Sequence, residues 1–269
     1  MKLTDRETHF EFGANWRDYA KTIDKTRIDS AIVGLKKLFP EGLAGKTFLD
    51  IGCGSGLHSL AALLLGATEV VATDIDENSV STTQELLKKY AVNEKWETKV
   101  VSVFDASPDS LGTFDIVYSW GVLHHTGNMW NAIERTTRFV KPGGQLALAI
   151  YAKTPFDLPW KIEKRIYSSS PAGVQWVLRQ SFIAVSMAAK AVRGKNPMLL
   201  FRTPLARGMN LSHDLHDWLG GYPYETATVE DLNSTISALG FTELRTFRNP
   251  QSIGLLGSGC NELVFVKRD

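Results

Sequence analysis

Four groups of residues in this 269-residue chain have types and spacings that could do chemistry. The first is Leu49-Asp50-Ile51-Gly52-Cys53-Gly54-Ser55-Gly56. Glycines after an apolar run let backbone come close to a ligand, and N–H groups at a helix start favour an anionic group. A dinucleotide fingerprint, G-x-G-x-x-G, would need its third glycine at position 57, which is Leu57. The spacing here is G-x-G-x-G, preceded by Asp50. A carboxylate there would repel a pyrophosphate and suits a ligand carrying an ammonium and a sulfonium. The second group is Asp74, 18 residues beyond Gly56, and Asp105. Each closes a run with strand character. Asp74 is placed to accept both hydroxyls of a ribose, and Asp105 to accept from an adenine amino group. Alone, either is equally a loop or helix-cap aspartate. The third group is His124-His125, candidates for a base that removes an acceptor's proton or for structural residues. The fourth is Ser212-His213-Asp214-Leu215-His216-Asp217. On a helix, His213 and His216 share a face, as do Asp214 and Asp217. That face could bind an acceptor or supply a base, His213 or Asp217. It could also hold a metal, or be a polar helix start capped by Ser212. The reading carried forward has no metal.

The elements that must position these groups follow in a regular order. Residues 27–39 have helical apolar spacing, ended by Pro40 and Gly42. A strand at 47–51 leads into the glycine run and a helix at 57–65, with Gly66 as its cap. Further strands are expected at 69–73, 99–104, 114–119 and 145–151, with helices at 79–90 and 130–139. Alternating apolar strands and helices predict an α/β fold with a doubly wound, mostly parallel sheet. The rhythm breaks over 152–226, which holds two helical stretches, 160–167 and 173–192. It resumes with a helix at 229–239 and strands at 241–247 and 262–267. The Gly-rich loop 249–259 is either a plain hairpin or a reach toward the acceptor.

The motifs resemble those of class I S-adenosylmethionine-dependent methyltransferases of the small-molecule and quinone-methylase kind. FLDIGCGSG is similar to their first motif, VVATDID to the second, VVSVFDAS to the third and FDIVYSWGVLHHT to the fourth. VKPGGQLALAIY resembles the strand that follows. The resemblance implies a seven-stranded Rossmann-like sheet with an antiparallel last strand and a helical cap between strand five and the last helix. It divides the chain into an N-terminal helical cofactor-covering segment (1–44), a cofactor-binding domain (45–151 and 227–269) and an acceptor-binding cap (152–226). It places Gly52, Cys53 and Gly54 beside the methionine part of S-adenosylmethionine, and Asp74 with Ile75 at the ribose. Asp105 and Ala106 flank the adenine, and the backbone near Ser119 and Trp120 runs along the cofactor. Phe12–Tyr19 looks like a segment that closes over the cofactor, with Trp16, Arg17 and Tyr19 as contacts; surface packing is the alternative. The resemblance also favours His125 over His124 as the acceptor-side residue.

Composition sets limits. Charged residues are 22%, hydrophobic residues 43% and net charge +1, ordinary for a soluble globular chain with no nucleic-acid partner. Cys53 and Cys260 make no disulfide framework, and the N-terminus lacks a signal peptide, so a cytoplasmic location is expected. No transmembrane segment is expected. Between 151 and 210 there are ten Lys/Arg and two acids, Asp157 and Glu163. This is a solvated helical face, or a basic cap that attracts an anionic substrate or a membrane surface. The expected function is methyl transfer to an oxygen of a small acceptor, either anionic and drawn by the basic cap or apolar, such as a quinone or polyketide, and held by Phe156, Trp160, Trp176 and Phe182. tRNA or protein methylation and a non-catalytic S-adenosylmethionine-binding regulatory subunit stay open, as does a homodimer.

Overall fold

The computed structural model describes residues 10, 12–198, 211–249 and 259–269, with backbone alone for 211–214. Strand β1 (Thr47–Ile51) buries Phe48, Leu49 and Ile51, so both its faces are apolar and it lies inside the sheet. It pairs in parallel with β2 (Glu69–Asp74) and β4 (Phe114–Trp120). Beyond these lie β3 (Trp96–Val100) and β5 (Val140–Tyr151). β7 (Cys260–Lys267) runs antiparallel between β5 and β6 (Phe241–Phe247). The order β3-β2-β1-β4-β5-β7-β6 gives the expected seven-stranded, mostly parallel sheet with a reversed last strand.

Helices cover both faces. The N-terminal ones are α1 (Phe12–Ala20) and α2 (Lys25–Leu38). α3 (Leu57–Leu64), α4 (Glu77–Tyr90), the short α5 (Pro108–Leu111) and α6 (Met129–Thr137) follow. Leu35, Leu60 and Leu87 from α2, α3 and α4 pack on Phe48, Val70 and Tyr118. Strand alternation sends Leu49, Val71 and Val117 to the other face, against Ile133 of α6 and Leu232 of α10 (Val229–Ala238). Each such buried side chain is worth about 1.5–3 kcal/mol.

Two expected boundaries are corrected. The third strand is not 99–104. Trp96–Val100 pairs with Val70–Asp74, and Val101 N–H to the Asp74 carbonyl closes the ladder. The chain then turns on Ser102, whose carbonyl accepts from the Asp105 and Ala106 N–H groups and whose Oγ accepts from Phe104 N–H. Asp105 therefore sits in an exposed turn, five residues past the strand rather than at its end. The fifth strand starts at Val140, and Pro142-Gly143-Gly144 is an irregularity inside it: Phe114 pairs Val140, and pairing resumes at Ile116 with Gln145.

Between β5 and α10 the described elements are α7 (Asp157–Ser169), α8 (Ala172–Val192) and α9 (Leu211–Gly220). A bridge between Ala152 and Ala227 joins the two ends of this segment, so the cap leaves and re-enters the sheet at one point beside β5. Its own small core is Phe10, Tyr167, Leu215 and Leu219.

Candidate functional site

The carboxyl ends of β1 and β2 hold two carboxylates with no cationic partner among the described residues. Asp50 is buried, and its Oδ2 accepts from Ser59 Oγ at 2.6 Å. Burial, with Asp74 nearby, pushes its pKa up to about 7. Asp74 accepts from Gly54 N–H at 3.1 Å and from Asp76 N–H at 3.0 Å. Burial raises its pKa to about 6 against those two backbone bonds. Gly52 holds φ +79, and a Cβ there would collide with the Val122 methyls, so only glycine lets the β1 loop approach the segment after β4. Gly56, at φ +77, sits against the Thr83 backbone with no room for a Cβ. This packing of α3 on α4 accounts for the third glycine falling at 56. Cys53 is buried and accepts from Thr83 Oγ1 at 3.3 Å, and burial pushes its thiol up.

The other predicted donor-side residues divide. Ile75 is partly exposed at the end of β2, and Ala106 is half-buried beside Asp105. Ser119 is buried, with Oγ donating to the Ile51 carbonyl at 3.0 Å, so its side chain ties β4 to β1. Trp120 directs its indole N–H to Glu262 Oε1 at 2.8 Å, and Lys37 pairs with the other Glu262 oxygen at 2.5 Å. This cluster was not foreseen, because its three members come from three distant segments.

Helix α1 lies over the glycine loop. The Trp16 ring packs on Gly54, and Arg17 bonds the Asn78 side chain at the start of α4. Tyr19 is wholly covered in the core cluster that it shares with residues of α2 and α3, with its ring edge on Trp16. The other end of α1 touches a second cluster: Phe12 lies 5.2 Å from the His125 ring, and Asn15 Nδ2 donates to Asp217 Oδ1 at 2.7 Å.

That cluster is built on the one-turn 3-10 helix Leu123–His125 that follows β4. His125 Nδ1 lies 2.8 Å from the Pro223 carbonyl, which only accepts, so Nδ1 carries the proton and Nε2 is the basic nitrogen. His124 is wholly buried between His125 (4.3 Å) and Tyr151 (4.1 Å), and neither of its ring nitrogens has a partner. Burial, then the charges of His125 and Lys164, hold its pKa well below normal, so it is neutral and a poor base. Lys164 is also wholly buried. Its ammonium donates to the Trp218 carbonyl and lies 4.1 Å, 5.2 Å and 5.9 Å from the rings of Trp218, Tyr224 and Tyr151. It makes no ion pair with any described carboxylate, and burial lowers its pKa. Glu163 beside it keeps a buried, unpartnered Oε2, and burial raises that carboxyl. Asp217 is turned to Asn15, and His216 Nδ1 lies 2.7 Å from the Tyr167 hydroxyl. The His213 side chain lies outside the described residues, as does most of the loop 249–259. Among the described residues no group of three or more His, Cys, Asp or Glu could hold a metal ion.

Lys164 was legible in the sequence only as one basic residue of the insertion. The overlooked signal is its spacing: with Trp160 and Tyr167 it falls on the inward stripe of α7, where a lysine is out of place.

The strand order, the glycine loop and the acidic strand ends can be set against known proteins. The profile of a methyltransferase domain family matches residues 49–146, which run from β1 into β5. Magnesium protoporphyrin IX methyltransferase of Synechocystis PCC 6803, solved with S-adenosylmethionine bound, superposes with TM-score 0.52 at 15% identity. It covers 93% of this chain and 79% of that one, a likeness of fold.

Residues 49–146 match a methyltransferase domain, in a sheet with the class I methyltransferase fold.

The cofactor of that domain is S-adenosylmethionine, and the residues present fit it. Asp50, buried, and Asp74, half-buried, are costly to ionise, and a sulfonium and an ammonium would supply the positive charge they lack. Curated relatives align over the same domain. 27-O-demethylrifamycin SV methyltransferase of Amycolatopsis mediterranei is 28% identical over 143 residues, 52% of this chain and 50% of that protein. Ribosomal protein L11 methyltransferase of Teredinibacter turnerae is 37% identical over 123 residues, 46% of this chain and 39% of that protein. The chain thus spans half or less of the length of these relatives, and the matches describe the donor half of the site.

A pH dependence follows. A cationic ligand favours the ionised carboxylates, so binding must release protons below the ligand-free values of about 6 and 7. Affinity for S-adenosylmethionine, read by calorimetry, should fall at least about fourfold from pH 7.5 to pH 5.5 as Asp74 alone takes up its proton. The ligand-free protein should respond oppositely. Raised carboxylates contribute stability that is present at low pH and lost as pH rises through 6 to 7. A flat affinity profile across this window would remove both carboxylates from cofactor binding.

Proposed function

We propose that the protein methylates an oxygen of a small anionic acceptor, bound beneath the 152–226 cap. The observation that carries this reading is Lys164: a wholly buried amine, with the carboxyl of neighbouring Glu163 as its nearby charge but no direct ion pair among the described residues, set among three aromatic rings and beside a histidine with two unpartnered nitrogens. An unpaired buried charge costs free energy that an anionic ligand recovers. The same ligand gives His124 the hydrogen-bond partner it lacks. S-adenosylmethionine, when bound, supplies an activated methyl group.

On the donor side, Asp74, with Ile75, holds the ribose. Asp105 and Ala106 flank the adenine, and Gly52, Cys53 and Gly54 line the methionine part. Asp50 lends negative charge from behind the loop, and Trp16 and Arg17 close the site from α1. On the acceptor side, Lys164 fixes the anion, and Tyr151, Tyr224 and Trp218 exclude water. His125, with Nδ1 committed to the Pro223 carbonyl, presents Nε2 to remove a hydroxyl proton. Asp217, bonded to Asn15, positions α1 rather than acting as a base. The rifamycin-type relative, an O-methylating enzyme by its name, supports the choice of oxygen. The setting we propose is a reducing cytoplasm, since neither Cys53 nor Cys260 joins a disulfide.

The test is methyl transfer measured over paired acceptors, phenols or enols with and without an adjacent carboxylate. The anionic member of each pair should be favoured. His125→Ala should lower kcat by about 10²–10⁴-fold while cofactor affinity is retained. Preference for the neutral members would sink the anionic reading, and full activity in His125→Ala would sink the base.

A further inference from the structure

Helix α7 is turned inside out, and α8, which packs Phe182 and Ile183 against the cap core, leaves a second apolar face exposed. A surface helix ordinarily buries its apolar stripe and exposes its polar face. α7 buries Lys164, Tyr167 and Ser168 and exposes Leu158 (68%), Ile162 (53%) and Ile166 (55%) at i, i+4 and i+8. α8 has 21 residues, and the one it buries is Gln175, which donates to the Tyr167 carbonyl at 3.0 Å. Its outward stripe carries Val174, Val177 and Val185, each about half exposed, along with Trp176. Runs of exposed apolar side chains of this extent mark a surface that is covered in use.

The charge of this face says by what. From 152 to 198 the exposed ionisable residues are Lys153, Lys161, Arg165, Arg193 and Lys195, all basic. The two acids of the stretch are withdrawn: Asp157 accepts from Thr154 and Thr226, and Glu163 turns inward. Lys161 and Arg165 fall on the same side of α7 as Leu158 and Ile162, so cations flank the apolar stripe. A second copy of the chain would bring like charges together. No helix among the described residues is long and apolar enough to cross a membrane. Apolar side chains flanked by lysine and arginine on helices that do not span match the surface of an anionic bilayer.

We propose that α7 and α8 dock the protein on an anionic lipid surface, with the apolar stripes in the headgroup boundary and the basic residues on the lipid phosphates. This stands apart from the identity of the acceptor, since it rests on the outer face of the cap.

The experiment is cosedimentation of the full chain with vesicles of phosphatidylcholine alone, or with about a third phosphatidylglycerol, at low and high salt. Binding is expected to the mixed vesicles and to weaken with salt. Lys161→Glu with Arg165→Glu should lower the partition coefficient by about fivefold or more per charge. Ile162→Asp with Ile166→Asp should abolish binding. Unchanged affinity for S-adenosylmethionine in both variants will show that they fold. Absence of vesicle binding by the unaltered chain, or equal binding to neutral vesicles and by both variants, overturns the proposal. So does a dimer in analytical ultracentrifugation that Ile162→Asp with Ile166→Asp dissociates without vesicle binding in the parent, because the face would then join two copies.

Discussion

Asp74→Ala should weaken S-adenosylmethionine binding by about 2–4 kcal/mol, roughly thirty- to a thousand-fold. The proposed ribose contact loses a charged acceptor for two hydroxyls, each charge-assisted bond being worth about 1.5–3 kcal/mol. The substitution also leaves the Gly54 and Asp76 N–H groups without their acceptor, so part of the loss comes through the loop. Asp74→Asn separates the two effects. Its amide oxygen can still accept from a backbone N–H, so the loop is supported while the charge is gone. We expect the asparagine variant to bind less weakly than the alanine variant, yet well below the parent, and to lose the Asp74 share of the pH dependence of affinity between 5.5 and 7.5 while keeping that of Asp50. Calorimetry on the three proteins decides it. Parental affinity in Asp74→Asn would remove the carboxylate from ribose recognition.

Lys164→Met should give the largest effect on the acceptor side. The side chain keeps its length and loses its charge. If Lys164 holds an acceptor anion, kcat/KM for that acceptor should fall by about 2–3 kcal/mol, some thirty- to two-hundred-fold, with cofactor affinity unchanged. Stability should move the other way or not at all. Replacing the buried amine by an apolar group relieves its desolvation, against one lost hydrogen bond to the Trp218 carbonyl and the lost attraction to Glu163. The expected signature is an equal or higher Tm with poor turnover. A protein that loses stability and activity together would make Lys164 a structural residue of the cap, and an unchanged kcat/KM would place the acceptor elsewhere.

The donor half of the site was legible because local physics writes it locally. β1, β2 and β4 are apolar runs, and Gly52, Gly54 and Gly56 mark a loop that no residue with a Cβ could form. Asp50 and Asp74 sit where those runs stop. β3 was displaced because WETKV alternates polar and apolar, while KVVSVF is the more apolar segment, and pairing with β2 overrode composition. The acceptor half was poorly legible because its contacts are distant in sequence. Lys164 means little until Trp218 and Tyr224 close around it, and Asp217 reads as a base until Asn15, 202 residues away, takes its oxygen.

Helix α1 touches both halves of the site, Trp16 on the glycine loop and Phe12 and Asn15 on the histidines and α9. A shared wall makes the two ligands kinetically interdependent. Lifting it to release the spent donor breaks the Asn15–Asp217 bond and uncovers His125 in the same movement, so the used cofactor leaves only from an enzyme whose acceptor side is also open.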